Sequence, residues 1–157
     1  MNASLHLLRV ELGVRSAALS GARLLGRRAS SSTTRLHTAD PRMSGVVIRG
    51  RTVYLSGQVP EPPFRAPIRE QVEQTLAKVD RLLADAGTHK GEVLTAHLWL
   101  KDIERDFAPM NDVWNAWVDP ENKPARACVE AKLANDDILF EVMVVAALPE
   151  DAGTVVT

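Results

Sequence analysis

Cysteine is nearly absent: Cys128 stands alone in 157 residues, so no disulfide can form within the chain, and a reducing or matrix-like compartment suits it. Aromatics make up only 4%, with Tyr54 the single tyrosine, which leaves little ring surface for stacking on nucleic-acid bases. No stretch reaches the roughly 18 continuous apolar residues that a membrane helix needs. Glycine-rich phosphate loops, a G-x-S-x-G elbow and a C-x-x-C pair are all missing. His89 and His97 lie too far apart, in a loop and a strand, to read as metal ligands, so the sequence calls for neither metal nor cofactor. What is present is a chain with 45% hydrophobic residues, enough for one ordinary core.

The net charge of -1 conceals a split. Residues 1–38 carry six arginines (Arg9, Arg15, Arg23, Arg27, Arg28, Arg35) against one acid, Glu11, leaving 13 basic and 19 acidic residues in the remainder. An arginine- and serine-rich, acid-poor leader with a weak helical stripe of Leu5, Leu8 and Leu12 has the composition of an organellar transit peptide. Its arginines interrupt it too often for a secretory signal. The expectation is a disordered leader over 1–38, a soluble domain over 39–157, and a mitochondrial location, with plastid or cytoplasm as alternatives. A merely disordered tail or a misplaced start is the competing reading. His6 and His37 would leave with the leader, and Asn2-Ala3-Ser4 matches a glycosylation acceptor by chance.

From Met43 the pattern is regular. "GVVIRG" and "TVYLSGQV" flank Gly50-Arg51 and predict a hairpin, followed by a proline-rich loop, "PEPPFRAP". Ile68, Val72, Leu76, Val79, Leu83 and Ala86 recur at helical spacing, with Gly87 placed to cap the C-terminus. "EVLTAHLWLKD" alternates as a strand, with Ala96, Leu98 and Leu100 on one side and Thr95, His97 and Trp99 on the other. His97 then reads as a sheet-face residue with a hydrogen bond. Asp106 offers a cap for a second helix, with Pro109 in its first turn and a stripe of Met110, Val113, Trp114 and Trp117. "NKPARACVEAKL" and "ILFEVMVVAAL" supply two more strands. The order β-β-α-β-α-β-β predicts an α+β sandwich with both helices on one face of a mostly antiparallel sheet. The other face lacks a cover, which points to self-association.

"NKPARACVEAKL" places an arginine inside an apolar strand. Ala125, Ala127, Val129 and Ala131 form a small apolar face expected to meet the core; Arg126, Cys128, Glu130 and Lys132 form the other, expected to face water, a partner subunit or a ligand.

"VYLSGQV", "EQTLAKVDRLLADAGTHKGEVLTAHLWLKD", "RDFAPMNDVW", "KPARACVEAKL" and "FEVMVVAA" together resemble the RidA/YjgF family of enamine/imine deaminases, over about Met43 to Leu148. The resemblance implies a chorismate-mutase-like fold, a homotrimer with sites in the clefts between subunits, and metal-free hydrolysis of 2-imino and 2-enamino acids to 2-keto acids and ammonia. Arg126 matches the family's arginine, whose planar fork can bind a substrate carboxylate through two hydrogen bonds. An ion pair with Glu130 is its plain structural alternative. Glu141 matches the family's glutamate; on a face with Met143 and Val145, it would orient or deprotonate the attacking water, or else form an intersubunit salt bridge. Ser56 and Gly57 correspond to substrate-side residues, or to a plain strand-end turn. Asn111 matches the family asparagine, best read as a hydrogen bond holding the helix start. Cys128 lines the pocket without acting as a nucleophile, since no histidine–acid pair accompanies it.

Met43 stands where a well-studied branch has a tyrosine, which makes the pocket more apolar on that side and leaves Arg42 as a possible substitute. The run from Lys101 to Asn111 is also one residue longer than in that branch. Two alternatives compete with the hydrolase. One is a non-catalytic ligand-binding or regulatory trimer. The other is an RNA-directed translation inhibitor or ribonuclease, as described for some relatives, which the acidic domain disfavours.

Overall fold

A computed structural model describes residues 32–150. The leader's proposed stripe, His6 and the Asn2 sequon lie outside the described residues. Among the described residues six strands form one sheet: β1 (Thr33–Leu36), β2 (Val46–Arg49), β3 (Thr52–Leu55), β4 (Val93–Leu100), β5 (Ala125–Glu130) and β6 (Phe140–Ala147). Their spatial order is β1-β2-β3-β6-β4-β5, antiparallel throughout except for the parallel pair β4–β5. Two helices, α1 (Ile68–Asp85) and α2 (Ile103–Trp117), cover one face, as the periodicity predicts.

The hairpin turns at Gly50, whose φ of 60° suits a residue without a Cβ. α1 buries Val72, Leu76, Val79 and Leu83 against the sheet residues Val53, Ala96, Leu98, Val142 and Val144. Gly87, at φ 81°, closes the helix: its N–H donates to the Ala84 carbonyl at 2.9 Å, and Thr88 N donates to Leu83 O at 2.9 Å.

Three expectations need correction. The folded domain starts before residue 39, because β1 is built from Thr33–Leu36 and pairs antiparallel with β2, from Thr33 opposite Arg49 to Leu36 opposite Val46. The serine- and arginine-rich composition hid the β-branched Thr33-Thr34, and Leu36 packs against the core. His37 stays with the domain, its Nε2 lying 2.9 Å from Asp85 Oδ2 at the end of α1. The second correction concerns α2, which begins at Ile103 with Asp102 as its cap: Arg105 N donates to Asp102 Oδ1 at 3.0 Å. Asp106 lies inside the helix, 2% exposed and paired with Arg105 at 2.6 Å, and Pro109 falls beyond the first turn.

The third correction reverses β5. Arg126 aligns with Ala96 and Cys128 with Leu98, on the helix side. Ala125, Ala127 and Val129 face outward on the bare side of the sheet, with Val129 50% exposed. They share that surface with Tyr54, His97 and Trp99, and His97 stacks on Trp99 at 6.3 Å between ring centroids.

Candidate functional site

The expected site residues gather into two groups. The first sits where α2 crosses the edge strand β5. Arg126, second in the strand, is half-buried under the helix, and its Nη2 donates to Asn111 Oδ1 at 2.8 Å. Asn111 lies in the middle of α2, so it holds Arg126 and not the helix start. The guanidinium carbon lies 5.1 Å from the centre of the Trp114 ring. Among the described residues no carboxylate pairs with this arginine. Glu130, the alternative partner, instead accepts from Ile103 N at 3.1 Å and helps to cap α2. Cys128 follows on the same face; burial pushes its thiol pKa up and the Arg126 charge only partly offsets this, so the group stays a thiol at neutral pH.

The second group forms where the chain leaves β3. Gln58 N donates to Val142 O at 2.8 Å and Val142 N to Gln58 O at 2.9 Å, a bridge that carries the Ser56-Gly57 turn to the start of β6. Gly57 is thereby set against Glu141, so closely that a Cβ built on it would lie 2.2 Å from Glu141 Oε1. The absent side chain makes room for the carboxylate. The Ser56 hydroxyl accepts from Gln58 Nε2 at 2.9 Å and lies 3.5 Å from the Gly45 carbonyl. Burial raises the Glu141 pKa above its ordinary value.

Ser56 and Gly57 line a cavity of about 300 Å³ shared with His37, Asp40, Met43 and Lys78. Met43 is 50% exposed at its mouth. Arg42 is held by a fork of hydrogen bonds to Asp40 at 2.8 and 3.1 Å, which keeps the Asp40 carboxyl pKa at about 2. A larger groove of about 420 Å³ runs between the helices past Arg69, Asp80, Asp112 and Trp117, away from both groups.

Within the chain the two groups do not converge. Arg126 aligns with Ala96 and Val144 on the helix side, whereas Glu141 aligns with Trp99 and Val129 on the bare side. Three residues of register separate them along the strands, about 10 Å at the usual rise. Sequence reasoning missed Trp114 as a neighbour of Arg126. The signal was its position three residues after Asn111, on one face of the same helix. It also missed Gln58, a buried amide hidden in the "SGQ" motif. Among the described residues, no three histidine, cysteine, aspartate or glutamate side chains gather as a metal site.

Comparison with known proteins bears on the family and the fold. The family model described as Endoribonuclease L-PSP matches residues 33–148. A RutC family protein from Haemophilus influenzae is 40% identical over 105 residues, covering 67% of this chain and 90% of the relative. A Salmonella typhimurium protein named 2-iminobutanoate/2-iminopropanoate deaminase is 31% identical over 112 residues, covering 68% and 86%. Protein mmf1, mitochondrial, of Schizosaccharomyces pombe is 28% identical over 121 residues, covering 73% of each chain. A crystal structure of a YjgF-family protein from Neisseria meningitidis superposes with a TM-score of 0.72 at 39% identity, covering 76% of this chain and 98% of that one. With its fold, its motifs and the match over residues 33–148 in agreement, the chain belongs to the RidA/YjgF family.

Proposed function

We propose that this protein is a metal-free hydrolase of 2-imino and 2-enamino acids, active as a homotrimer in which Arg126, Asn111 and Cys128 of one subunit meet Ser56, Gly57 and Glu141 of the next. The observation that carries the reading is Arg126: a half-buried guanidinium held by an amide and an indole, with no carboxylate among the described residues to neutralise it. Such a group calls for a small organic anion. The bare apolar face of Val129, Ala127, Ala125 and Tyr54 supports self-association, and joining two subunits is one way to complete a site whose halves are separated in one chain. The deaminase name of the Salmonella relative points to the same chemistry.

Arg126 holds the substrate carboxylate and so sets the adjacent C=N carbon in place. Glu141, its pKa raised, takes a proton from water as the oxygen bonds to that carbon and the C=N electron pair moves to nitrogen. The proton then passes to the nitrogen of the tetrahedral adduct. The C–N bond breaks as the C=O forms and the hydroxyl proton passes through Glu141 to the departing nitrogen, releasing ammonia and the 2-keto acid. Positioning supplies much of the acceleration, because the imine is already electrophilic. The arginine-rich leader and the mitochondrial fission-yeast relative together support a mitochondrial location.

The test couples the full chain to a threonine dehydratase or an amino-acid oxidase that releases imines. Wild type should speed keto-acid appearance above the buffer rate, and Arg126→Ala should abolish the gain. No acceleration with any small 2-imino acid would leave a ligand-binding trimer as the better reading. The family model's description as an endoribonuclease favours a second reading, RNA cleavage. The acidic balance beyond residue 38, 13 basic against 19 acidic residues, opposes it; salt-sensitive retardation of RNA in a gel would support it.

A further inference from the structure

Trp114 is a core residue, 4% exposed, with one neighbour the core does not explain. Its ring packs against Trp117 at 5.2 Å, and the Arg126 guanidinium carbon lies 5.1 Å from its ring centre. We propose that Trp114 is a positioning residue for Arg126: its indole and the Asn111 amide together fix the direction in which the guanidinium presents its free N–H groups to a carboxylate. The inference rests on the reading of Arg126 as the substrate anchor.

Two restraints of different kinds act on one planar group. The hydrogen bond from Nη2 to Asn111 fixes a single nitrogen and leaves the plane free to swivel about that contact. An indole close to the guanidinium limits the swivel by packing and by the attraction between a cation and a π system. Asn111 and Trp114 stand three residues apart, so one face of α2 supplies both. Among the described residues, no strand lies beyond the edge strand β5 to do this work.

The nature of the support also matters. A carboxylate in the place of the indole would hold the guanidinium equally still but would neutralise it and compete with an anionic substrate. Indole and amide leave the full charge and most of the five N–H donors available. Lysine, lacking a planar fork, could not present two parallel donors from this cradle. The arrangement therefore favours small ligands carrying a carboxylate and disfavours neutral imines.

The test compares Trp114→Phe, which keeps a ring, with Trp114→Leu, which does not, in the full chain. With the coupled imine assay, Trp114→Leu should raise KM about 10-fold while kcat changes less than about 3-fold, and Trp114→Phe should recover most of the loss. Binding of 2-oxobutanoate, followed by NMR, should weaken in parallel. That readout stands whether or not the protein turns over imines. Ring currents should also move the Arg126 side-chain protons upfield in wild type, with resonances assigned by their loss in Arg126→Lys, and the shift should persist in Trp114→Phe. An unchanged KM and keto-acid affinity in Trp114→Leu overturns the inference even if Arg126→Ala is inactive. Should Trp114→Leu fail to fold, the wild-type spectrum decides: unshifted Arg126 protons overturn the proposal. If wild type hydrolyses no imine yet binds 2-oxobutanoate through this cradle, the proposed reaction falls and the positioning role stands.

Discussion

Gly57 and Glu141 meet across the bridge between the β3 exit and β6, with no room for even a methyl group between them: a Cβ at residue 57 would fall 2.2 Å from Glu141 Oε1. The obstructing atom is the end of a flexible side chain. Gly57→Ala should therefore leave the fold intact and push the carboxylate aside. The expected outcome is a thermal midpoint close to wild type with imine hydrolysis reduced at least about 10-fold, by the usual sensitivity of catalysis to misplacement. Full activity in this variant would remove Glu141 from the mechanism.

The raised pKa of Glu141 has two consequences of definite sign. As a base it works only when ionised, so kcat/KM should climb with pH through a value above the ordinary glutamate range, and Glu141→Gln should abolish that limb along with most activity. For stability, a carboxyl whose folded pKa is raised favours folding in its protonated form. Its contribution is fully present below the unfolded pKa and is lost as pH rises through the folded one. Glu141→Gln should therefore raise the melting temperature at pH 7 and change it little at acid pH. The reverse pattern would show that the carboxylate is stabilised by an unseen partner.

Gln71 should matter for stability more than its surface-helix pattern suggests. Fully buried, its Nε2 lies within 2.8 to 3.0 Å of the carbonyls of Phe64, Ala66 and Asp137, and its Oε1 accepts from Leu139 N at 2.8 Å. One side chain thus ties α1 to the loop that precedes it and to the connection between β5 and β6. Gln71→Leu strands buried carbonyls and should cost about 3 kcal/mol in urea unfolding.

A chain that begins at Ser32 should melt like the full-length protein, whereas one that begins at Ala39 loses β1 and the packing of Leu36 and exposes the edge of β2. Thermal denaturation of the two should differ by several degrees. Equal midpoints would mean that β1 adds nothing to the domain.

Val129→Asp places a charge on the bare sheet face, on the edge strand β5, without touching the core. Size-exclusion chromatography should show a shift from trimer to monomer, accompanied by loss of activity. A monomeric wild type would remove the shared-site reading.

Helix α1 was legible from its spacing because one face of it meets a core supplied by the same chain. The hairpin was legible for a similar reason: Gly50 alone can take its φ of 60° cheaply. Helix α2 was misjudged at its start, since Asp102 and Asp106 offer the same capping chemistry and only packing chose between them. β1 was hidden because four residues have no periodicity to read and draw their stability from pairing with β2.

Arg126 and Glu141 could be picked out as charged residues in apolar strands, and the family motifs added Ser56, Gly57, Asn111 and Cys128 as candidates. How they group could not. Alternation separates the two faces of β5 but does not say which turns toward the helices, because both faces are covered only if another molecule covers one of them. Local chemistry is written in the chain through propensity and spacing. The orientation of the arginine under Trp114, the separation of the candidate residues into two groups, and the contact of Gly57 with Glu141 depend on strand register across residues far apart in sequence.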